Sequence, residues 1–496
     1  MQKHPISILS AGAALLSASA VMPLAAQTWT GAVSEDWFEG GNWAAGAPPP
    51  AGCGFFGCTG VTIAEPGKPA AIAGNTASLG PNSSITVDGG GHLILRQGGV
   101  LELENGGRAG FQQGGEGRID VLGAGSRFSV VAPSADAIYT LGFNGSGTLM
   151  LADGGEFRLA AASGGRSGIL QVGSGATGVG TLIIGDGGAA GVLTADQITV
   201  GPGQAIINFN HNEADYRFDF NLNDSTSVGS FSVNQLGSGR TVLAGNNNYR
   251  GDTRVMNGTL VLGGGIPNSA VTIGNGGTLA LGDGAPGVIE ISNLVIEQGG
   301  TLHFDLAAPD GDALPGDLLA PGSVGDFLVV GNNLTLNDAT LTVNDLGGFN
   351  NGIYTLIQYG GGITGDFAQV NLPDGFGGTL QLGQYNGNDV LYLDVGGTLG
   401  DEVYWDGANP GAAPNGSVDG GDGVWNNSTA SWTNANGSAQ GAWNEQVAIF
   451  SGTPGTVTVA EDVRYTGMTF LSDGYTLAAG GGQLLPNGDA LEPGVS

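Results

Sequence analysis

Residues 145–155 read GSGTLMLADGG, residues 178–188 read GVGTLIIGDGG and residues 275–284 read NGGTLALGDG. Each places Thr-Leu at the head of a short run of alternating apolar residues, and closes the run with Gly and Asp. The same pair recurs at Thr148-Leu149, Thr181-Leu182, Thr259-Leu260, Thr278-Leu279, Thr301-Leu302, Thr340-Leu341 and Thr379-Leu380. Alternation with period two sends every second side chain to one face, so each run predicts a short strand. Gly at the ends permits the positive φ of a sharp bend, and Asp or Asn beside it hydrogen-bonds the turn. Strands recurring at intervals of roughly 20–35 residues are the signature of a stacked, quasi-one-dimensional fold. The expected fold is all-β: a right-handed parallel β-helix whose Val, Leu and Ile bury against the rungs above and below. A series of β-sandwiches competes with it, but its strands would recur every ~8–12 residues. At ~20–25 residues per rung and ~4.8 Å between rungs, roughly 20 rungs would make a rod on the order of 100 Å long.

Composition supports this reading. Of 496 residues, 97 are Gly, but no three-residue Gly period exists, which excludes collagen. With 41% hydrophobic residues in alternation, the chain is not disordered. Thirteen Lys+Arg stand against 44 Asp+Glu, for a net charge of −31. Neutralising phosphates takes clustered cations, so neither nucleic acid nor an anionic membrane is an expected partner. The acidity reads as solubility of a large surface. Asp and Asn crowding the turns leave a divalent-cation role as the other reading. GGEGRID (114–120) and VDGGDGVW (418–425) echo a calcium-binding nonapeptide, but each copy is isolated, so turn-forming Gly accounts for both and no cofactor is expected.

The N-terminus reads as a secretion signal over residues 1–26. Lys3 and His4 precede an apolar run from Ile6 to Val21, and small residues lead to cleavage after Ala26. That run is too short, and too rich in Ser, Ala and Gly, to favour a spanning helix. The mature product is therefore expected to be exported and to lack a membrane-spanning segment. Export makes a small disulfide loop the leading reading of Cys53 and Cys58 in CGFFGC. A metal site would need further ligands, and His4, His92, His211 and His303 lie far away in sequence. A redox C-x-x-C would need two intervening residues.

All seven tryptophans fall in two segments: Trp29, Trp37 and Trp43, then Trp405, Trp425, Trp432 and Trp443. Both segments run W-x-G, then Trp, then a second Trp six or seven residues on, and look like copies of one module. The division that follows is a signal peptide (1–26), a Trp-rich N-terminal capping module (27–65), β-helix rungs (66–225), a repeat and its continuation (226–400), and a second Trp-rich module that looks truncated (401–496). Exposed end rungs are sticky edges, which gives the aromatics a capping role.

Catalytic patterns are weak. Ser146, Ser174 and Ser238 sit in GSG turns without the G-x-S-x-G spacing. Asp215, Arg217 and Asp219 in EADYRFDF alternate with Tyr216, Phe218 and Phe220, which puts the charges on one side of a strand. With His211 they form the alternative reading, a polysaccharide lyase or hydrolase on a β-helix; a solvated face over a buried aromatic one explains them equally. Arg250-Gly251-Asp252 spells an integrin-type tripeptide whose Gly the turn itself demands.

The stretch GSGRTVLAGNNNYRGDTRVMNGTLVLGG (237–264) resembles autotransporter passengers built from autotransporter-associated β-strand repeats of the PATR type. Gly237, Gly239, Leu243, Gly245, Asn247, Tyr249, Gly251, Thr253, Val255, Gly258 and Leu260 occupy the positions of that repeat. The resemblance implies a structural or adhesive stalk, not an enzyme, at the cell surface or in the medium of a Gram-negative bacterium, acting by multivalent contact. Its implied partners are a host-cell, matrix or neighbouring-cell surface. Such passengers also carry a C-terminal outer-membrane barrel, for which this sequence supplies no set of ~10-residue amphipathic strands. The expectation is therefore either a fragment of a longer gene, with a translocator barrel encoded downstream, or a passenger exported without its own translocator.

Overall fold

The computed structural model describes residues 27–487, apart from 50–59, 80–82, 134, 163–164, 225–227, 310–324, 375, 386, 397–398, 400–401, 408–416, 436 and 438. The signal peptide and the Cys53–Cys58 loop lie outside the described residues. Those described are strands and turns, with one 3-10 turn at Gly40–Asn42; no helix among them is long and apolar enough to cross a membrane.

The strands stack as a parallel β-helix. One ladder runs Ala70, Leu93, Ile119, Leu149, Leu182, Ile207, Val233, Thr253, Val271, Leu294, Leu334 and Ile363, each paired in parallel with the next. From Ala70 to Leu334 every member is buried. These side chains exist to fill the bore of the rod: alternation turns them inward, and each rung covers the one below. Eleven steps of ~4.8 Å make about 53 Å over residues 70–363. Rung length varies: Thr253 pairs with Val271 one rung on, and Leu294 with Leu334.

The Thr-Leu pairs stack in register. Thr148-Leu149 lies on Thr181-Leu182, and a second column holds Thr259, Thr278, Thr301 and Thr340 beside Leu260, Leu279, Leu302 and Leu341. Thr379-Leu380 departs from this. It sits in Gly377–Tyr385, which pairs antiparallel with Asn388–Gly396. The sequence Asn386-Gly387 between them is a two-residue hairpin signal, and Gly387 has φ +79°.

The cross-section changes once. Two further ladders build the early rungs, one ending at Gln197–Val200 and the other at Val192–Thr194. Beyond them the row Tyr216–Phe218, Arg240–Leu243, Gly258–Leu262 and Gly277–Leu281 begins. There the remaining side is irregular, held by a bridge between Asn223 and Asn248 and by the Asn268 amide donating to Asn248.

Among the described residues, the strands of 402–487 pair with one another. Glu402–Trp405, Val447–Phe450 and Gly467–Phe470 form one parallel row, and Gly423–Trp425, Thr456–Val459 and Thr476–Ala479 another. Their core is separate and centres on Trp405, Trp425, Trp432 and Phe450. The two Trp segments share one geometry. Trp29 bridges Trp43 antiparallel at 5.2 Å between ring centroids and 78°. Trp405 pairs antiparallel with Trp432 at 5.1 Å and 74°.

Candidate functional site

The repeat motif builds rod interior. Asn247 is buried; its Oδ1 accepts from the Leu222 N–H at 2.9 Å and its Nδ2 donates to the Gly245 carbonyl at 2.7 Å, fixing the irregular corner to the rung below. Tyr249 is fully buried, its hydroxyl 2.7 Å from that of Thr253. Thr253 Oγ1 lies 2.8 Å from Ser269 Oγ, which donates to the Gly251 carbonyl at 2.7 Å. A fully buried hydroxyl needs such a partner, and burial holds the Tyr249 phenol well above its ordinary pKa. Leu243, Val255 and Leu260 fill the bore.

The motif glycines answer to the next rung. A Cβ on Gly251 would stand 2.0 Å from the Phe231 carbonyl oxygen, and Gly258 has φ +63°. Sequence reasoning found these positions but missed Ser269 and Gln235, the motif's buried polar partners. Gln235 Nε2 donates to the Gly237 and Gly239 carbonyls, and its Oε1 accepts from Thr241 at 2.6 Å. A Gln at an inward strand position was the available signal.

The structure separates His211 from the other three candidate catalytic residues. His211 is fully buried, its Nε2 2.9 Å from Thr241 Oγ1 and its Nδ1 accepting from the Glu213 N–H at 3.2 Å. Burial lowers its pKa, with the Glu213 charge opposing. It is therefore a neutral interior group with both ring nitrogens occupied. Asp215, Arg217 and Asp219 do share the exposed side of their strand, with Phe218 buried opposite. They belong to an ion-pair network: Arg217 Nε meets Asp219 at 2.8 Å, its Nη1 meets Asp283 at 2.6 Å, and Arg240 joins Asp215 and Asp283. The hydrogen bond from Arg240, before that from Arg217, holds the Asp283 carboxyl below its ordinary value. No general acid–base pair results.

Arg217 and Asp219 of this network line one side of a cleft of about 660 Å³. The cleft opens where the cross-section changes, between Leu193–Thr199 on one side and Tyr216–Asn223 on the other. Sequence reasoning missed it because the residues that line it are brought together from separate rungs and leave no local signature.

The Arg250-Gly251-Asp252 tripeptide is locked into the rung. The Arg250 guanidinium donates to the Gly229 carbonyl at 2.8 Å and lies 3.3 Å from the Asp224 carboxylate, while Asp252 pairs with Arg254 at 2.6 Å. The seven tryptophans are buried, Trp29, Trp37 and Trp43 in the rod core and the other four in the 402–487 core. Among the described residues no group of three or more His, Cys, Asp or Glu is placed to hold a metal ion.

Residues 233–262 match the family described as passenger-associated-transport-repeat. The chain is also similar to the adhesin BmaC autotransporter of Brucella suis biovar 1 (strain 1330), with 30% identity over 335 residues. That alignment covers 61% of this chain and 9% of the relative, so the chain spans under a tenth of the length of the curated protein it matches. Both similarities agree with the resemblance read from residues 237–264: the chain carries a match to that repeat and is similar in sequence to an adhesin autotransporter.

Proposed function

We propose that this chain serves as a β-helical stalk of an autotransporter-type passenger, exported through residues 1–26 to the surface or medium of a Gram-negative bacterium. Its role is adhesive, by many weak contacts along a stiff surface. The observation that carries this reading is how the repeat uses its residues. Asn247, Tyr249, Thr253 and the glycines are turned to the interior and to neighbouring rungs, leaving the surface free to vary. Multivalent contact then converts weak sites into stable attachment through effective concentration. The similarity to an adhesin autotransporter supports the same reading. Host-cell, matrix or neighbouring-cell surfaces are the proposed partners, with a translocator barrel for export. Trp29, Trp37 and Trp43, and Trp405, Trp425, Trp432 and Trp443, are proposed to cap the start of each ladder. Cys53 and Cys58 are proposed to close a disulfide loop.

The test compares beads coated at high density with the mature chain against the soluble monomer, on epithelial cells and matrix-coated surfaces. Saturable bead attachment that far exceeds monomer binding is expected. Turnover of a polysaccharide by the purified chain, abolished by Asp215→Asn or Asp219→Asn, would replace the adhesive reading with the enzymatic one.

A further inference from the structure

The outward side of the longest ladder carries a second cleft, of about 470 Å³. Leu93, Ile119 and Leu149 fill the bore, so the residues before them, His92, Arg118 and Thr148, turn outward and are half-buried. His92 pairs with Arg118 one rung on, and Arg118 with Thr148. Lys68, in the turn that leads into Ala70–Ala73, lines the same cleft.

Cations are scarce in this chain, 13 against 44 acidic residues, and Lys68 is one of two lysines. Here Lys68 and Arg118 meet beside a histidine. Asp120, itself buried, holds the ring and the guanidinium in place. Its Oδ2 lies 2.8 Å from His92 Nε2, and Arg118 Nε lies 2.9 and 3.1 Å from its two oxygens. Arg118 Nη2 reaches Met150 Sδ at 3.4 Å, and Lys68 Nζ donates to the Thr30 carbonyl at 3.2 Å. Among the described residues, Arg118 Nη1 and His92 Nδ1 have no hydrogen-bond partner, and the Lys68 ammonium keeps donors to spare. A neutral imidazole whose Nε2–H goes to a carboxylate offers Nδ1 as an acceptor. The cleft therefore combines two cations with acceptors and hydroxyls, from Glu116, His92, Ser146 and Thr148. Pro69 is its one apolar side chain, and glycines make up the rest.

A matching ligand needs one anionic group for the cations and several hydroxyls for the acceptors. A dense polyanion does not fit, because Glu116 and Asp120 repel its further charges. An acidic peptide brings a carboxylate but few hydroxyls, and leaves the acceptors unpaired. We infer that the cleft binds a sugar bearing a carboxylate, a uronic or sialic acid of a glycan. Its carboxylate meets Arg118 and Lys68 in charge-assisted hydrogen bonds, and its ring hydroxyls bond Glu116, His92 Nδ1, Ser146 and Thr148. In the adhesive reading this is one of the weak contacts. Its chemistry rests on the cleft alone, so sugar binding and bead attachment can fail separately.

The test is saturation-transfer NMR on the soluble mature chain, titrated with methyl glucuronide and with methyl N-acetylneuraminide. Methyl glucoside lacks the carboxylate, acetate lacks the ring, and a blocked Glu-Glu peptide stands for an acidic protein. At least one acidic sugar should bind saturably, about tenfold more tightly than glucoside or acetate. Lys68→Gln and Arg118→Gln should each weaken it about tenfold, whereas Arg158→Gln, in a different ladder, should leave it unchanged. Glucoside or acetate binding as tightly as the acidic sugars would overturn the inference, and so would tighter binding of the peptide. No binding of either acidic sugar at about 20 mM would overturn it as well. Lys68 is exposed, so Lys68→Gln decides should Arg118→Gln disturb the rungs through Asp120; undiminished binding by Lys68→Gln counts against the site.

Discussion

Gly251→Ala is the most direct probe of how the repeat works. The added methyl would stand 2.0 Å from the Phe231 carbonyl oxygen and 2.5 Å from Ser232 Oγ. Cβ atoms do not approach backbone closer than 3.0 Å, so the two rungs must part by about 1 Å. That displacement strains the ladder in which Thr253 pairs with Val233, where the Val233 N–H donates to Asp252 at 3.0 Å and the Met256 N–H to Gln235 at 2.9 Å. Overpacking costs about 1–3 kcal/mol, and losing one or two backbone hydrogen bonds about 1 kcal/mol each. Stiffening of the unfolded chain offsets roughly 0.4–1 kcal/mol. The net cost is about 3 kcal/mol, which lowers amide protection about a hundredfold. Rungs in a solenoid open locally, so hydrogen exchange should report the loss over residues 230–262 and little elsewhere. Gly287→Ala is the control, because a Cβ there meets nothing within 4 Å. Protection within about threefold of the unaltered protein, or equal damage from Gly287→Ala, would refute the reasoning.

Asp326 gives a pH signature. Burial pushes its carboxyl up to about 7, so the folded chain holds a proton that the unfolded chain releases near pH ~4. Stability at this site is therefore greatest below about pH 4, falls as pH rises, and levels off above about pH 7. Asp326→Asn should flatten that slope in denaturation midpoints between pH 4.5 and 7.5; an unchanged slope counts against it. Trp432→Ala opens a large cavity in the 402–487 core and should cost about 3–5 kcal/mol. Exchange should rise there while the ladder from Leu93 to Leu294 keeps its protection, and a loss in that ladder would show the cores to be coupled. A soluble Arg-Gly-Asp peptide should not inhibit bead attachment, because Arg250 and Asp252 are both engaged within the rung. Dose-dependent inhibition would mean that the tripeptide is displayed after all.

The parallel stack could be read from the sequence because its signal is local and repeated. Thr-Leu pairs at the head of each strand carry both the alternation and the register, and six of the seven stack as that implies. The exception, Thr379-Leu380, shows the limit: a strand looks alike whether its partner is parallel or antiparallel, and only Asn386-Gly387 marked the hairpin. Rung length was less legible than rung existence: one rung takes Thr253 to Val271 and another Leu294 to Leu334. The two Trp segments have similar spacing in sequence and similar ring geometry in the structure. The cleft was invisible, since its lining comes from rungs apart in sequence. His211 illustrates a related difficulty: a polar residue near charged ones suggests chemistry, yet its ring faces the interior.

The buried hydroxyls at Thr253 bear on how such a rod finds its own order. Aliphatic rungs are nearly interchangeable: Leu149, Leu182 and Ile207 would bury as well on one another in any sequence of stacking. A chain built only of such rungs could skip one and still hide its apolar surface. Tyr249, Thr253 and Ser269 break that degeneracy, as do Gln235, Thr241 and His211, because each group finds its partners in only one arrangement of neighbours. A skipped rung would strand those hydroxyls and amides without partners, at a cost apolar contacts do not repay. The repeat thus works as a checkpoint in the winding of the coil, where correct counting of turns is enforced by chemistry rather than by shape.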